Sequence, residues 1–112
     1  MCTKSQLEAI EEEMVNYYRS VYGDSIDIII LYGSYARRDY SDDSDIDITA
    51  IVRGNRVELQ KKLKKMWDFS TEVGLAYDVI VSPTVIPYDE FEQYKEKLPY
   101  YRNIVKEGRK IG

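Results

Sequence analysis

Residues 33–48 read GSYARRDYSDDSDIDI, and the fold of the chain is built around this stretch. Just before it, Ile26–Tyr32 (IDIIILY) is apolar and β-branched, which predicts a buried strand. From position 45 to 52 the sequence DIDITAIV alternates polar with apolar residues, which predicts a second strand with one polar face. Asp45 and Asp47 then lie on the same side of that strand, because residues two apart share a face.

Helical patterns flank these strands. Apolar residues recur at helical spacing up to Gly23, after a capping-box pattern formed by Ser5 and Glu8. A second helix is predicted from Asn55 to about Val73, and Gly74 would end it. Its inward-facing residues are expected to be Leu59, Leu63, Met66, Trp67 and Val73.

The rest of the chain predicts a third strand and two more helices. The strand is Leu75–Val81 (LAYDVIV), and it carries Asp78 among apolar residues. A helix would begin at Pro87, and after Pro99 the chain would continue helically to Gly108. The expected fold class is α/β (α+β), a small mixed β-sheet of three or more strands with helices packed on it, in one domain over residues 1–112.

Composition excludes several classes of protein. The 112 residues contain no histidine, which removes Ser-His-Asp catalysis and most zinc sites. The net charge of -4 argues against a protein that coats nucleic acid, and no apolar run is long enough to span a membrane. The lone Cys2 has no internal disulfide partner. We expect a globular, cytoplasmic protein without direct nucleic-acid or membrane partners.

The paired carboxylates predict a metal site. Asp45 and Asp47 repel each other unless a cation lies between them, and Mg²⁺ prefers such oxygen ligands together with water and nucleotide phosphates. An acidic residue in an apolar strand needs a reason, so Asp78 is a candidate third ligand if the third strand lies beside the second. Three carboxylates would hold two Mg²⁺ ions for displacement at phosphorus, whereas the alternative is that Asp78 lies at an exposed edge.

The start of the quoted stretch predicts a phosphate site. Gly33 and Ser34 follow the first strand, where glycine lets a phosphate approach the backbone and the serine hydroxyl can donate to it. Taken alone, the pair is explained better by a structural turn. Arg37 is the candidate for neutralising the phosphates, and Arg38 is expected to face solvent. Asp39, Asp42 and Asp43 are expected to be loop residues.

Taken together, these features resemble a known family. Gly33-Ser34, ten residues, Asp45-Ile46-Asp47 and a later acidic strand are similar to the signature of the DNA polymerase β-like nucleotidyltransferases. The run GSYARRDYSDDSDIDI and the ending IVKEG most resemble the minimal nucleotidyltransferase (MNT) domains of prokaryotes. One position departs from the family pattern, because Arg38 stands where the family usually has glycine.

The resemblance implies a fold, an activity and a partner. It implies a polymerase β palm-like fold in which Gly33, Ser34 and Arg37 bind the triphosphate of ATP. Asp45, Asp47 and Asp78 would hold two Mg²⁺ ions and serve catalysis, so that AMP passes to a hydroxyl group. MNT proteins often act as antitoxins of HEPN toxins, and some transfer AMP to a tyrosine of the toxin.

Two other functions stay open from the sequence. One is AMP transfer to a small molecule, as in aminoglycoside-modifying relatives, although these usually carry an additional helical domain or dimerise. The other is a catalytically silent antitoxin that only binds its partner. Eleven tyrosines fit an interface as well as they fit helix packing, and the sequence leaves homo-oligomerisation open.

Overall fold

The computed structural model describes residues 3–41 and 44–112, so the expectations for Cys2, Asp42 and Asp43 lie outside the described residues. The order of elements matches the prediction, with a short fourth strand added at the C-terminus. The helices are α1 (Lys4–Tyr22), α2 (Ser34–Arg37), α3 (Arg56–Tyr77), α4 (Tyr88–Tyr94) and α5 (Pro99–Glu107). The strands are β1 (Ile26–Tyr32), β2 (Ile46–Val52), β3 (Val81–Pro87) and β4 (Arg109–Lys110).

The four strands form one mixed sheet in the order β3-β2-β1-β4. Strand β1 pairs antiparallel with both β2 and β4, whereas β2 pairs parallel with β3. Helices α1 and α3 cover one face of the sheet, and α4 and α5 cover part of the other. The predicted fold class is therefore confirmed. None of the helices within the described ranges is long and apolar enough to cross a membrane.

Strand β2 lies in the interior of the sheet and shows why the alternating pattern matters. Ile46, Ile48 and Ala50 are fully buried in the core that the sheet forms with α1 and α3. On the opposite face Ile51 packs into a second, smaller apolar cluster with residues of α4 and α5. Each face of β2 thus meets a different layer, as the period of two requires.

The two predicted helix caps have different outcomes. The capping box of α1 is formed by Thr3 and Gln6, because the Thr3 hydroxyl accepts from the Gln6 N–H at 3.1 Å and the Gln6 side chain accepts from Thr3 at 2.9 Å. The prediction of Ser5 and Glu8 was wrong by two residues. Asn55 does cap α3, since its side chain accepts from the Val57 N–H at 2.9 Å.

Helix α3 runs past the predicted stop at Gly74. This glycine serves a close approach, because a Cβ there would lie 2.5 Å from the carbonyl oxygen of Val79. The helix ends at Asp78, which adopts a left-handed conformation (φ 55°, ψ 48°) that Asp tolerates better than most residues. The prediction that Trp67 faces inward was also wrong, because its side chain is 44% exposed.

The third strand begins at Val81, so the predicted strand Leu75–Val81 was wrong. Leu75 is 80% exposed, which shows that the apolar run LAYDVIV does not form a buried strand. The actual strand contains Pro83 and ends at Pro87. Proline cannot donate to a neighbouring strand, and β3 tolerates it because it lies at the edge of the sheet.

Candidate active site

The polar residues of β2 continue across the sheet on the face that α4 and α5 cover only in part. Asp47 pairs with Tyr32 of β1 and with Ser82 of β3. Two residues further along, Thr49 pairs with Ile30 and Thr84. Directly paired residues point to the same side of a sheet. The face therefore changes from apolar to polar at Thr49, and the polar end carries Asp47.

The two carboxylates of the DxD pattern differ in exposure. Asp45 is exposed just before β2, and Asp47 is half-buried within the strand. Burial raises the pKa of Asp47, the negative charge of Asp45 raises it further, and Arg37 lowers it. The pair thus has an unfavourable charge arrangement that a bound cation would relieve. In oxygen donors and charge, the two residues fit Mg²⁺, whose other ligands are commonly water and phosphate oxygens.

Gly33 leaves room for the Asp47 carboxylate. Its backbone has φ 76° and ψ -157°, and a Cβ at this position would lie 2.5 Å from Oδ2 of Asp47. A side chain larger than hydrogen would therefore displace the carboxylate and strain the backbone. Ser34 follows as the first residue of α2, which is a single helical turn.

Arg37 is exposed at the end of α2 and forms two ion pairs. Its guanidinium donates to Asp39 at 3.1 Å and to Glu107, the last residue of α5, at 3.0 Å. Arg38 is also exposed, and it adopts the left-handed conformation (φ 65°, ψ 25°) that glycine favours. Arg38 thus adopts the backbone conformation of a glycine, at the position where the family pattern has glycine.

The placement of Asp78 corrects the prediction of a third metal ligand. Asp78 ends α3 and is not on a strand, while the position beside Asp47 on β3 is Ser82. Within residues 3–41 and 44–112, no three side chains of the His, Cys, Asp or Glu type are arranged to hold a metal ion. Asp78 instead lines a cleft with Asp45.

Three residues of this region were missed by sequence reasoning. The Tyr32 hydroxyl is hydrogen-bonded to that of Tyr100 in α5 at 2.8 Å, and burial followed by this bond raises the pKa of Tyr32. Glu107 forms an ion pair with Arg37. Nothing in the ending IVKEG predicts this contact. The position of Tyr32 directly before Gly33 was the available signal for it, whereas Tyr100 and Glu107 reach the site only through the packing of α5.

The buried hydroxyl of Thr49 has no hydrogen-bond partner within the described part of the chain. Its side chain is fully buried beside the DxD pair, on the face that carries Asp47. A buried polar group without a partner costs about 1–3 kcal/mol. The polar end of this face is therefore less well satisfied than the rest of the sheet.

Comparison with known proteins places this site in context. Residues 10–111 match the family model described as a nucleotidyltransferase domain. The chain is 36% identical over 98 residues to "Putative protein adenylyltransferase MJ0604" of Methanocaldococcus jannaschii, which covers 88% of this chain and 90% of that protein. It is 31% identical over 97 residues to "Putative protein adenylyltransferase MJ0141" of the same organism, covering 79% and 96%.

Solved structures show a similar fold. A chain of a toxin-antitoxin crystal structure with AMP-PNP matches with a TM-score of 0.53 at 16% identity, over 90% of this chain and 72% of that one. A chain of the complex of a tri-AMPylated Shewanella oneidensis HEPN toxin with its MNT antitoxin matches with a TM-score of 0.53 at 16% identity, over 94% and 71%. At these identities the likeness concerns the fold.

Proposed function

The chain belongs to the nucleotidyltransferase domain family, and on that basis we propose that it transfers AMP from ATP to a hydroxyl group of a partner protein. The observation that carries the proposal is the close approach of Gly33 to the Asp47 carboxylate, since no side chain separates the Gly-Ser turn from Asp47. A triphosphate on the turn would lie directly beside the carboxylates. The reaction is placed in the cytoplasm, where ATP is available.

The proposed reaction is a displacement at the α-phosphorus. The acceptor hydroxyl oxygen forms a bond to the α-phosphorus, the bond from that phosphorus to the bridging oxygen breaks, and pyrophosphate leaves with the electron pair. The proton of the hydroxyl passes to Asp47 or to water. No covalent enzyme intermediate is needed, because positioning and charge neutralisation suffice for this kind of transfer.

The residues have separate roles in this proposal. Asp45 and Asp47 would hold a Mg²⁺ ion, which when bound offsets the charge of the phosphates. The proposal rests on one ion at this pair, because no third carboxylate is arranged with them among the described residues. Ser34 and the Gly33 backbone bind the phosphates, and Arg37 adds positive charge once its ion pairs with Asp39 and Glu107 open.

We propose that the acceptor is a tyrosine of a HEPN-type toxin and that the chain acts as its antitoxin. The fold match to chains of toxin-antitoxin structures supports this proposal, as does the description of one of those toxins as AMPylated. The two similar archaeal proteins named as protein adenylyltransferases favour a protein acceptor over a small molecule.

The test uses ATP labelled at either the α- or the γ-phosphate, with Mg²⁺ and a lysate of the host cell. We expect α-label, and no γ-label, on a protein band, and loss of that label by about a thousand-fold in Asp45→Asn/Asp47→Asn. Asp24→Asn, an exposed carboxylate at the other end of β1, is the matched control and should keep full transfer. Label on a small molecule, or equal labelling by the double variant, would contradict the proposal.

A further inference from the structure

A cleft of about 760 Å³ lies between the second half of α3 and the segment that enters β3. We call it the α3/β3 cleft, and residues that define it include Asp45, Trp67, Thr71, Leu75, Asp78 and Ile80. It reaches the DxD pair at Asp45, which belongs to both. The cleft exists because α3 continues to Tyr77 and then turns back at Asp78.

Three large apolar side chains of the cleft are exposed. Trp67 is 44% exposed, Leu75 80% and Ile80 62%, and all three line it. Grouped apolar side chains of this kind mark binding surfaces, and tryptophan is among the residues that most often dominate binding energy. Exposure of these side chains to water does not stabilise the fold, so their grouping indicates that a partner binds there.

The charge of the cleft restricts that occupant. Its lining contains the carboxylates of Asp45 and Asp78 and, among the described residues, no lysine or arginine. The hydroxyl of Thr71 adds a further polar group, although it already donates to the Trp67 carbonyl at 3.0 Å. An apolar wall above two carboxylates is complementary to a segment that carries both apolar and basic side chains.

We propose that the α3/β3 cleft is the docking site for the acceptor protein, and that it binds a segment with apolar and basic residues next to the acceptor tyrosine. This inference rests on the proposed function and names the surface that selects its acceptor. Because Asp45 is shared, a chain seated in the cleft is led to the carboxylates where transfer occurs. The cleft then decides acceptor binding, while the Gly-Ser turn decides ATP binding.

Trp67 allows a test that does not depend on catalysis, because it is the only tryptophan of the chain. The probes are a random copolymer of lysine and tyrosine and a random copolymer of glutamate and tyrosine, added without ATP. Tryptophan emission is excited where tyrosine does not absorb. We expect a saturable change with the lysine copolymer and none with the glutamate copolymer.

Matched variants separate the cleft from general attraction between a polycation and an acidic protein. Leu75→Gln/Ile80→Gln should weaken binding of the lysine copolymer by about tenfold. Val57→Gln is the control, because Val57 is 60% exposed on the same helix but does not line the cleft. All three proteins keep the net charge of -4, so a purely electrostatic effect would be equal in them.

Transfer from α-labelled ATP to the lysine copolymer gives the second readout. The double glutamine variant should raise the half-saturating copolymer concentration by about tenfold and leave the KM for ATP unchanged. Equal binding of both copolymers would overturn the inference. So would a change of Trp67 emission on adding ATP alone, or on raising the protein concentration alone, since the occupant would then be the nucleotide or a second copy.

The two proposals can fail separately. If the lysine copolymer binds through Leu75 and Ile80 but no acceptor receives label, the docking cleft stands and the proposed transfer falls. If label reaches the lysine copolymer equally in the double variant and the control, transfer stands and the docking cleft falls.

Discussion

The two faces of β2 obey different rules although they belong to the same seven residues. On the side of α1 and α3 the strand is apolar along its whole length and fully buried. On the other side it changes from Ile51 to Thr49 and Asp47 as the cover of α4 and α5 ends. The core face stabilises the fold, whereas the face with Thr49 and Asp47 contributes less stability and carries the candidate active site.

The difference shows where a small domain can place reactive groups. A half-buried Asp47 and a Thr49 hydroxyl without a partner among the described residues are unfavourable in themselves. They are tolerated because the opposite face of the same strand is packed without a comparable defect. Changes on the first face should therefore alter the free energy of unfolding, and changes on the second should alter transfer.

The largest effect is expected for Ile48→Ala on the core face. Ile48 is fully buried, so the cavity left by the substitution should lower the free energy of unfolding by about 2–5 kcal/mol. Denaturant unfolding measures it, and transfer by the folded fraction should stay unchanged. Ile80→Ala, at a 62% exposed position, is the control and should change stability by less than about 0.5 kcal/mol. Equal losses in the two variants would contradict the comparison.

A second prediction concerns Gly33→Ala on the site face. The added methyl group displaces the Asp47 carboxylate, so transfer from α-labelled ATP should fall by about a hundred-fold. Gly23→Ala is a matched control, because Gly23 has a similar backbone (φ 61°, ψ -139°) and nothing within 4 Å of a Cβ. Both variants should lose about 1–3 kcal/mol of stability from backbone strain. A similar drop in transfer for both would assign the effect to strain alone.

Thr49→Val should have a smaller effect and the opposite sign. The substitution removes a buried hydroxyl without a partner, so the free energy of unfolding should stay equal or rise by up to about 1 kcal/mol. Thr84→Val is the comparison, since the Thr84 hydroxyl makes a long contact to the Ile48 carbonyl at 3.5 Å. If transfer falls more than about tenfold in Thr49→Val, the hydroxyl contacts the bound nucleotide and is not a mere defect.

The smallest effect is expected for Glu11→Gln. Glu11, on α1, is the one buried carboxylate of the described residues. Burial raises its pKa, against the lowering effect of Arg109, which donates to it at 2.9 Å. The folded protein thus holds the Glu11 carboxyl proton more tightly than the unfolded chain does. The contribution of Glu11 to stability therefore falls as the pH rises from its pKa in the unfolded chain through its higher pKa in the folded protein. Relative to the wild type, Glu11→Gln should gain stability as the pH rises above the ordinary pKa of a glutamate, by less than about 1 kcal/mol.

Thermal unfolding of both proteins, from below to well above the ordinary pKa of a glutamate, checks the sign. If the difference in stability between Glu11→Gln and the wild type does not change with pH, Arg109 cancels the effect of burial. A relative stability that falls with rising pH would show that the ion pair outweighs burial, and that this charge strengthens the core side of the fold.

Much of the site was readable because it is local in sequence. Gly33 and Ser34 follow β1, Asp45 and Asp47 lie at the start of β2, and the two strands pair directly, so that Tyr32 lies opposite Asp47. The connection between them contains the short helix α2. Strand alternation and turn chemistry act over a few residues, which is why the resemblance drawn from this stretch agrees with the family match.

The third strand was misread for a reason that is also physical. The run LAYDVIV has the composition of a strand, but Leu75 and Tyr77 continue α3, while the true strand carries Pro83 and Pro87. Composition favours the first segment because β-propensity ignores the neighbours a strand will have. Only the edge position of β3 makes its prolines acceptable.

The sequence by itself determined the order of elements, the alternation that puts Asp45 and Asp47 on one face of their strand, and the Gly-Ser turn after the strand before it. The tertiary structure alone decided that Asp78 ends a helix, that Glu107 holds Arg37, and that Trp67, Leu75 and Ile80 border a cleft at Asp45. The first set depends on contacts between segments close in the chain. The second depends on where a long helix stops and how it packs, and such contacts join residues far apart in sequence.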